Sequence, residues 1–196
     1  SIIGNGININ SPLNGLSDLA LMPLQLNDEV HLQYGGGSAL WGSGSIGGSI
    51  HLNSRNSFKE KSSFSFSHHT GSFGMSHQNI CAELSKKRWT ISLKAFKKKS
   101  KNNFPFQDPY SDSNEIKYLQ HAQNESTGLI LGTSLKLGTK NVLNLHLWTQ
   151  GSERQIPPNI TQLSSAATQN DNSNRLLVNW KHSQNKWTGQ LKLAYM

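Results

Sequence analysis

Along most of the chain apolar and polar residues alternate singly, the period of a β-strand whose two faces meet different surroundings. In residues 62–69, Phe64 and Phe66 alternate with serines. Residues 89–96 place Trp89, Ile91, Leu93 and Ala95 on one face and Thr90, Ser92 and Lys94 on the other. The same alternation gathers Leu129, Leu131, Leu135 and Leu137, then Leu143, Leu145 and Leu147. It recurs with Leu176, Val178 and Trp180, and with Trp187, Leu191, Leu193 and Tyr195. Adding residues 75–84, the pattern predicts about seven strands of roughly eight to ten residues, long enough to cross a bilayer at a tilt. The helical period has no comparable segment, because residues 114–126 carry too few apolar positions to define a face.

The connections sharpen this picture. Tight turns are expected at 85–88, 138–141 and 183–185, and long polar loops at 99–125 and roughly 150–174. Short turns alternating with long loops describe bacterial outer-membrane barrels, with turns at the periplasm and loops outside. Two loops this long are unusual in a compact soluble domain. The polar faces carry Ser, Thr, Asn, Gln, Gly and some Lys, which suits a water-filled or plugged lumen. Trp89, Trp148, Trp187 and Tyr195 lie near strand ends, where an interfacial aromatic belt requires them. The fold class expected is all-β, with about seven antiparallel strands of an incomplete transmembrane β-barrel, since bacterial barrels close on even strand numbers. The two other readings are a soluble or surface-attached β-sandwich binding module, for instance for carbohydrate, and a purely structural outer-membrane barrel.

Composition and charge remove several function classes. Only 34% of the 196 residues are apolar and 15% charged, but seven Phe, five Trp and four Tyr are spread along the chain, which argues against disorder. The net charge of +8 raises nucleic acid as a partner. The lysines are dispersed apart from Lys97, Lys98, Lys99 and Lys101, and no nucleic-acid motif accompanies them, so no nucleic-acid partner is expected. One cysteine, Cys81, excludes an internal disulfide framework and a cysteine-rich zinc site. The histidines lack ligand spacing, and adjacent His68 and His69 point to opposite faces of a strand, so neither a metal site nor a cofactor is expected. Residues 42–48, rich in Gly and Ser, lack the Lys-Ser/Thr ending and following helix of a phosphate loop. No catalytic constellation emerges, and the chain reads as a non-enzyme.

Residues 18–56 resemble the C-terminal part of the plug of TonB-dependent outer-membrane receptors. The resemblance rests on Asp18 and Pro23, the strand Val30–Leu32, the turn Gly35 and Gly37, then Ser38, Trp41 and Gly42, and the strand entered through Gly47 and Gly48. It implies a plug part over 1–57 followed by the first barrel strands over 58–196. It also implies energised uptake of a scarce nutrient, of the cobalamin or ferric-siderophore class, across the outer membrane of a Gram-negative cell. Implied partners are outer-membrane lipid, a small-molecule nutrient, and TonB through an N-terminal box outside this sequence. Residues 11–23 and the segments near Phe104 and Pro157 look most like the cobalamin-receptor-like branch, including versions typical of Bacteroidetes. Many members carry Arg and Glu near positions 29–35 to tie plug to barrel, and here those partners are missing or reversed.

By family position, Ser11, Leu13, Asn14 and Ser17 are candidate ligand contacts at the plug apex. Phe104, Phe106 and Tyr110 are candidates on the first long loop. For the first group the plain alternative is an ordinary Asn-Gly turn, and for the second it is local packing of the loop.

Overall fold

The computed structural model describes residues 1–11, 15, 19, 22–55, 57–107, 116–159, 162 and 164–196. The expected all-β class is observed, arranged as a small mixed sheet followed by a large antiparallel one. The small sheet is built from β1 (Ile2–Gly4), β2 (Ile7–Asn8), β3 (Glu29–Tyr34) and β4 (Gly48–Asn53), in the order β2-β1-β4-β3. β1 runs parallel to β4, and the other pairs are antiparallel. Between β3 and β4 lie a single helical turn, α1 (Ser38–Trp41), and a 3-10 turn at Ser43–Ser45. Ile2, Ile9, Met22 and Leu52 form the core of this unit.

The large sheet contains β5 (Lys61–Gly71), β6 (Met75–Ser85) and β7 (Trp89–Ser100). A two-stranded ribbon of β8 (Pro105–Gln107) and β9 (Ile116–Tyr118) then interrupts the chain. β10 (Asn124–Leu137), β11 (Asn141–Gln155), β12 (Thr168–Gln184) and β13 (Trp187–Tyr195) complete it. Seven strands, in the order β13-β12-β11-β10-β7-β6-β5, make one meander. The tight turns fall where the sequence places them, at 86–88, 138–140 and 185–186. Gly138 (φ 74°) and Asn185 (φ 52°) take the left-handed conformation that Gly and Asn tolerate best.

Two expectations are corrected. The second long loop shrinks to 156–167, because β11 and β12 continue their ladder through Gly151–Gln155 and Thr168–Asn174. Apolar alternation stops before the strands do. The backbone ladder needs only N–H and C=O groups, and Arg154 and Gln169 support it side to side at 2.9 Å. The first long loop also contains the ribbon that alternation does not mark.

Burial is inverted relative to a soluble sheet. The apolar face is bare: Phe64 is 72% exposed, Leu193 63% and Trp187 83%. The polar face is covered: Ser134, Ser85, Thr90 and Asn144 are all buried. A sandwich would close over the leucines. Here the small sheet and its loops lie on the serine and asparagine side.

Candidate functional site

Alternation fixes which side chains meet the small domain. In the middle of the inner face, Cys81, Lys94, Ile130, Trp148 and Arg175 follow one another across the strands in register. Lys94 Nζ donates to Asp28 Oδ1 at 2.6 Å and to the Leu26 carbonyl at 2.7 Å, and its side chain is only 13% exposed. Asp28 Oδ2 accepts from the Arg55 backbone N–H at 2.9 Å. One carboxylate thus joins β7, the entry to β3 and the segment after β4. Beside it, Arg55 donates to Glu29 Oε1 from Nη2 at 2.6 Å and from Nε at 3.0 Å. These hydrogen bonds, with a smaller contribution from His31, hold the Glu29 carboxyl below its ordinary range.

Further along, Lys192 Nζ donates to the Asn5 and Gly6 carbonyls at 3.2 and 3.5 Å. The Ser85 hydroxyl donates to the Ser57 carbonyl, and Lys136 Nζ lies 4.3 Å from the Phe58 ring centroid. Between these anchors a polar cavity of about 530 Å³ separates small domain from wall, lined by Asp28, Arg55, Ser63, Cys81, Glu83 and Lys94 among others.

Among the described residues, Trp148 is the aromatic of the wall that packs against the small domain's core. Its Nε1–H donates to Gln150 Oε1 at 2.9 Å, and the Arg175 guanidinium lies 4.5 Å from its ring centroid. This corrects its placement in an outer aromatic belt. Trp148 has the opposite parity to Leu143, Leu145 and Leu147 and therefore points inward. Cys81 is likewise on the polar face, opposite Lys94. Parity alone identifies Trp148, Arg175 and Lys94 as inward. Their partnership with Asp28 and the small-domain core needs the third dimension.

The glycine-rich connection turns back on itself. The Gly37 N–H donates to the Ser45 carbonyl at 2.9 Å, Ser38 opens the helical turn, and Gly42 (φ 90°) ends it. Gly48 has φ 150°, and a Cβ there would meet the Gln33 carbonyl oxygen at 2.7 Å, so the position requires glycine. Trp41 meets His51 edge to face at 5.1 Å, and its carbonyl accepts from Asn8 Nδ2. Gly35 (φ 84°) follows directly on β3, Gly47 is exposed just before β4, and Pro23 is buried before a 3-10 turn at Leu24–Leu26.

Of the apex candidates, Ser11 is described: it is half-buried, and its carbonyl accepts from the Gly15 N–H at 2.8 Å. Asn10 Nδ2 closes the same turn through the Gly15 carbonyl at 2.9 Å. Leu13, Asn14, Ser17, the motif residue Asp18 and the loop residue Tyr110 lie outside the described residues. Phe104 packs edge to face on Phe73, 6.1 Å away, which joins the first long loop to the β5–β6 connection. Phe106 sits in the ribbon opposite Lys117 and is half-buried. Among the described residues no group of three or more His, Cys, Asp or Glu is placed to hold a metal ion.

No family model and no curated protein matches the sequence. Solved structures do. The chain superposes on the copper transporter OprC with a TM-score of 0.68 at 12% identity, over 93% of this chain and 26% of that one. It matches a structure of the FpvAI–pyocin S2 complex at 0.67 and 16% identity, over 98% and 27%. It matches the siderophore receptor PiuA from Acinetobacter baumannii at 0.69 and 14% identity, over 99% and 28%. The chain therefore spans just over a quarter of the length of these proteins, and at such identities the likeness is one of fold.

Proposed function

We propose that residues 1–57 are the C-terminal part of a plug and residues 58–196 the first strands of the barrel of a TonB-dependent outer-membrane receptor. The complete protein binds a scarce nutrient of the cobalamin or ferric-siderophore class without covalent chemistry and takes it up across the Gram-negative outer membrane. The observation that carries this reading is the inverted sheet, apolar outward and bare, polar inward and packed on a glycine-rich domain. Along β10 the outward leucines from Leu129 to Leu135 span about 20 Å at the usual strand rise, close to the roughly 25 Å apolar band of such barrels. The structural likeness to a copper transporter and a siderophore receptor supports the same reading.

In this reading Ser11, Leu13, Asn14 and Ser17 face solute from the plug, while Phe104, Phe106 and Tyr110 face it from the loop. The test uses the full-length protein. It should migrate faster on gels unheated than boiled, as folded barrels do, and should require detergent. Uptake of its solute should stop when TonB is deleted. A detergent-independent protein with no heat-modifiable form would sink the proposal.

A further inference from the structure

The inner face of the wall carries more positive than negative charge, and the excess bears on the solute. Two inward lysines are matched: Lys61 by Glu83 at 3.0 Å and Lys94 by Asp28 at 2.6 Å. Lys98, Lys136, Arg175, Lys181 and Lys192 also occupy inward positions. Among the described residues no ion pair joins any of these five to a carboxylate.

They are spread over the height of the wall. Lys98 shares an upper row with His69 and His77, whose rings lie 6.3 Å apart. Arg175 lies in the middle row with Lys94 and Trp148, and Lys136 and Lys181 share a lower row. The upper row holds one inward carboxylate, Asp171, at its far end, and Gln169 donates to it. Among the described residues the small domain does not supply the missing charge: Asp28 is engaged by Lys94 and Glu29 by Arg55. On the outer face the balance is even, with Lys97 and Lys99 beside Glu125 and Glu153, and Lys97 paired to Glu125 at 2.6 Å.

In a walled aqueous space the inward charges focus a field that concentrates solutes of opposite sign. Resting on the transport reading above, we infer that the solute drawn through this lumen is anionic, with its charge on carboxylate, catecholate or phosphate oxygens. Neutral corrinoids and cationic chelates are disfavoured.

The experiment measures binding to the complete receptor in non-ionic detergent by tryptophan quenching. Three probes are used: a ferric tris-catecholate (anionic), cyanocobalamin (neutral) and a cationic ferric tris-hydroxamate. The tris-catecholate is expected to bind tightest, and its Kd should rise about tenfold from low to high salt as the field is screened. Lys98→Gln should raise that Kd about threefold at low salt, whereas Lys97→Gln, one residue away on the outer face, should leave it unchanged. Equal or tighter binding of either other probe, salt-insensitive binding, or failure to bind the tris-catecholate overturns the inference. TonB-dependent uptake of the probes separates the two levels. Energised uptake of cyanocobalamin keeps the transporter and overturns the charge proposal. A tris-catecholate bound but not taken up keeps the charge proposal and overturns the transporter.

Discussion

Two residue contacts set the tolerance of the wall. Phe96 is buried on the inner face and lies over Gly128, its register partner on β10. A Cβ at Gly128 would come 2.8 Å from Phe96 Cζ. Gly128→Ala should therefore cost about 1–3 kcal/mol through overpacking, read from urea unfolding of the full-length barrel in detergent. Adding Phe96→Leu should recover part of that loss, and simple additivity would show that the two side chains do not compete for space. The second contact is Lys94 with Asp28. Asp28→Asn should weaken retention of the small domain by about 1–3 kcal/mol, because a mostly covered ammonium loses its charged partner. Faster hydrogen exchange over residues 22–34 is the readout. In a double-mutant cycle with Lys94→Met the effects should couple, and independent effects would show that the 2.6 Å ion pair does not hold the domain.

For whole strands, what the sequence discloses depends on what each segment touches. The apolar stretches of the seven strands are legible because outward and inward positions differ in chemistry at every second residue. The polar extensions of β11 and β12 are not, since both of their faces carry polar side chains and leave no apolar period to detect. Trp148 shows the same limit at the site: its inward parity is readable, but its residue type invites the opposite placement. The Lys94–Asp28 tether joins residues 66 positions apart, and no local pattern encodes it. If the odd-numbered face of β10 meets lipid, charge there should cost more with depth. Leu131→Arg, flanked by Leu93 and Leu147, should destabilise folding into vesicles by about 2–4 kcal/mol. Thr127→Arg, on the same face beside Lys97, should cost about 1 kcal/mol or less. Equal costs would show that this face does not meet lipid.

At the scale of the molecule, the large sheet has two unpaired margins among the described residues, β5 and β13, and a broad bare apolar face. Neither is compatible with a dispersed state in water. Expressed alone without detergent, residues 1–196 should form aggregates, recovered in the pellet and eluting in the void volume on gel filtration. A monodisperse monomer at the expected mass of 21.7 kDa would argue directly against the lipid-facing assignment.

The mixed polar and apolar character of the seam has a calorimetric consequence. Small domain and wall meet through lysine–carbonyl, lysine–carboxylate and serine–carbonyl contacts, and Ile130, Trp148, Leu177 and Ala194 of the wall line a shared pocket with Ile7, Ile9 and Leu52. Parting them exposes polar surface, whose hydration lowers heat capacity, together with an apolar patch that raises it, so the two partly cancel. Release of the small domain should thus show a smaller heat-capacity change for the surface it exposes than dismantling an apolar core, and an enthalpy that varies less steeply with temperature.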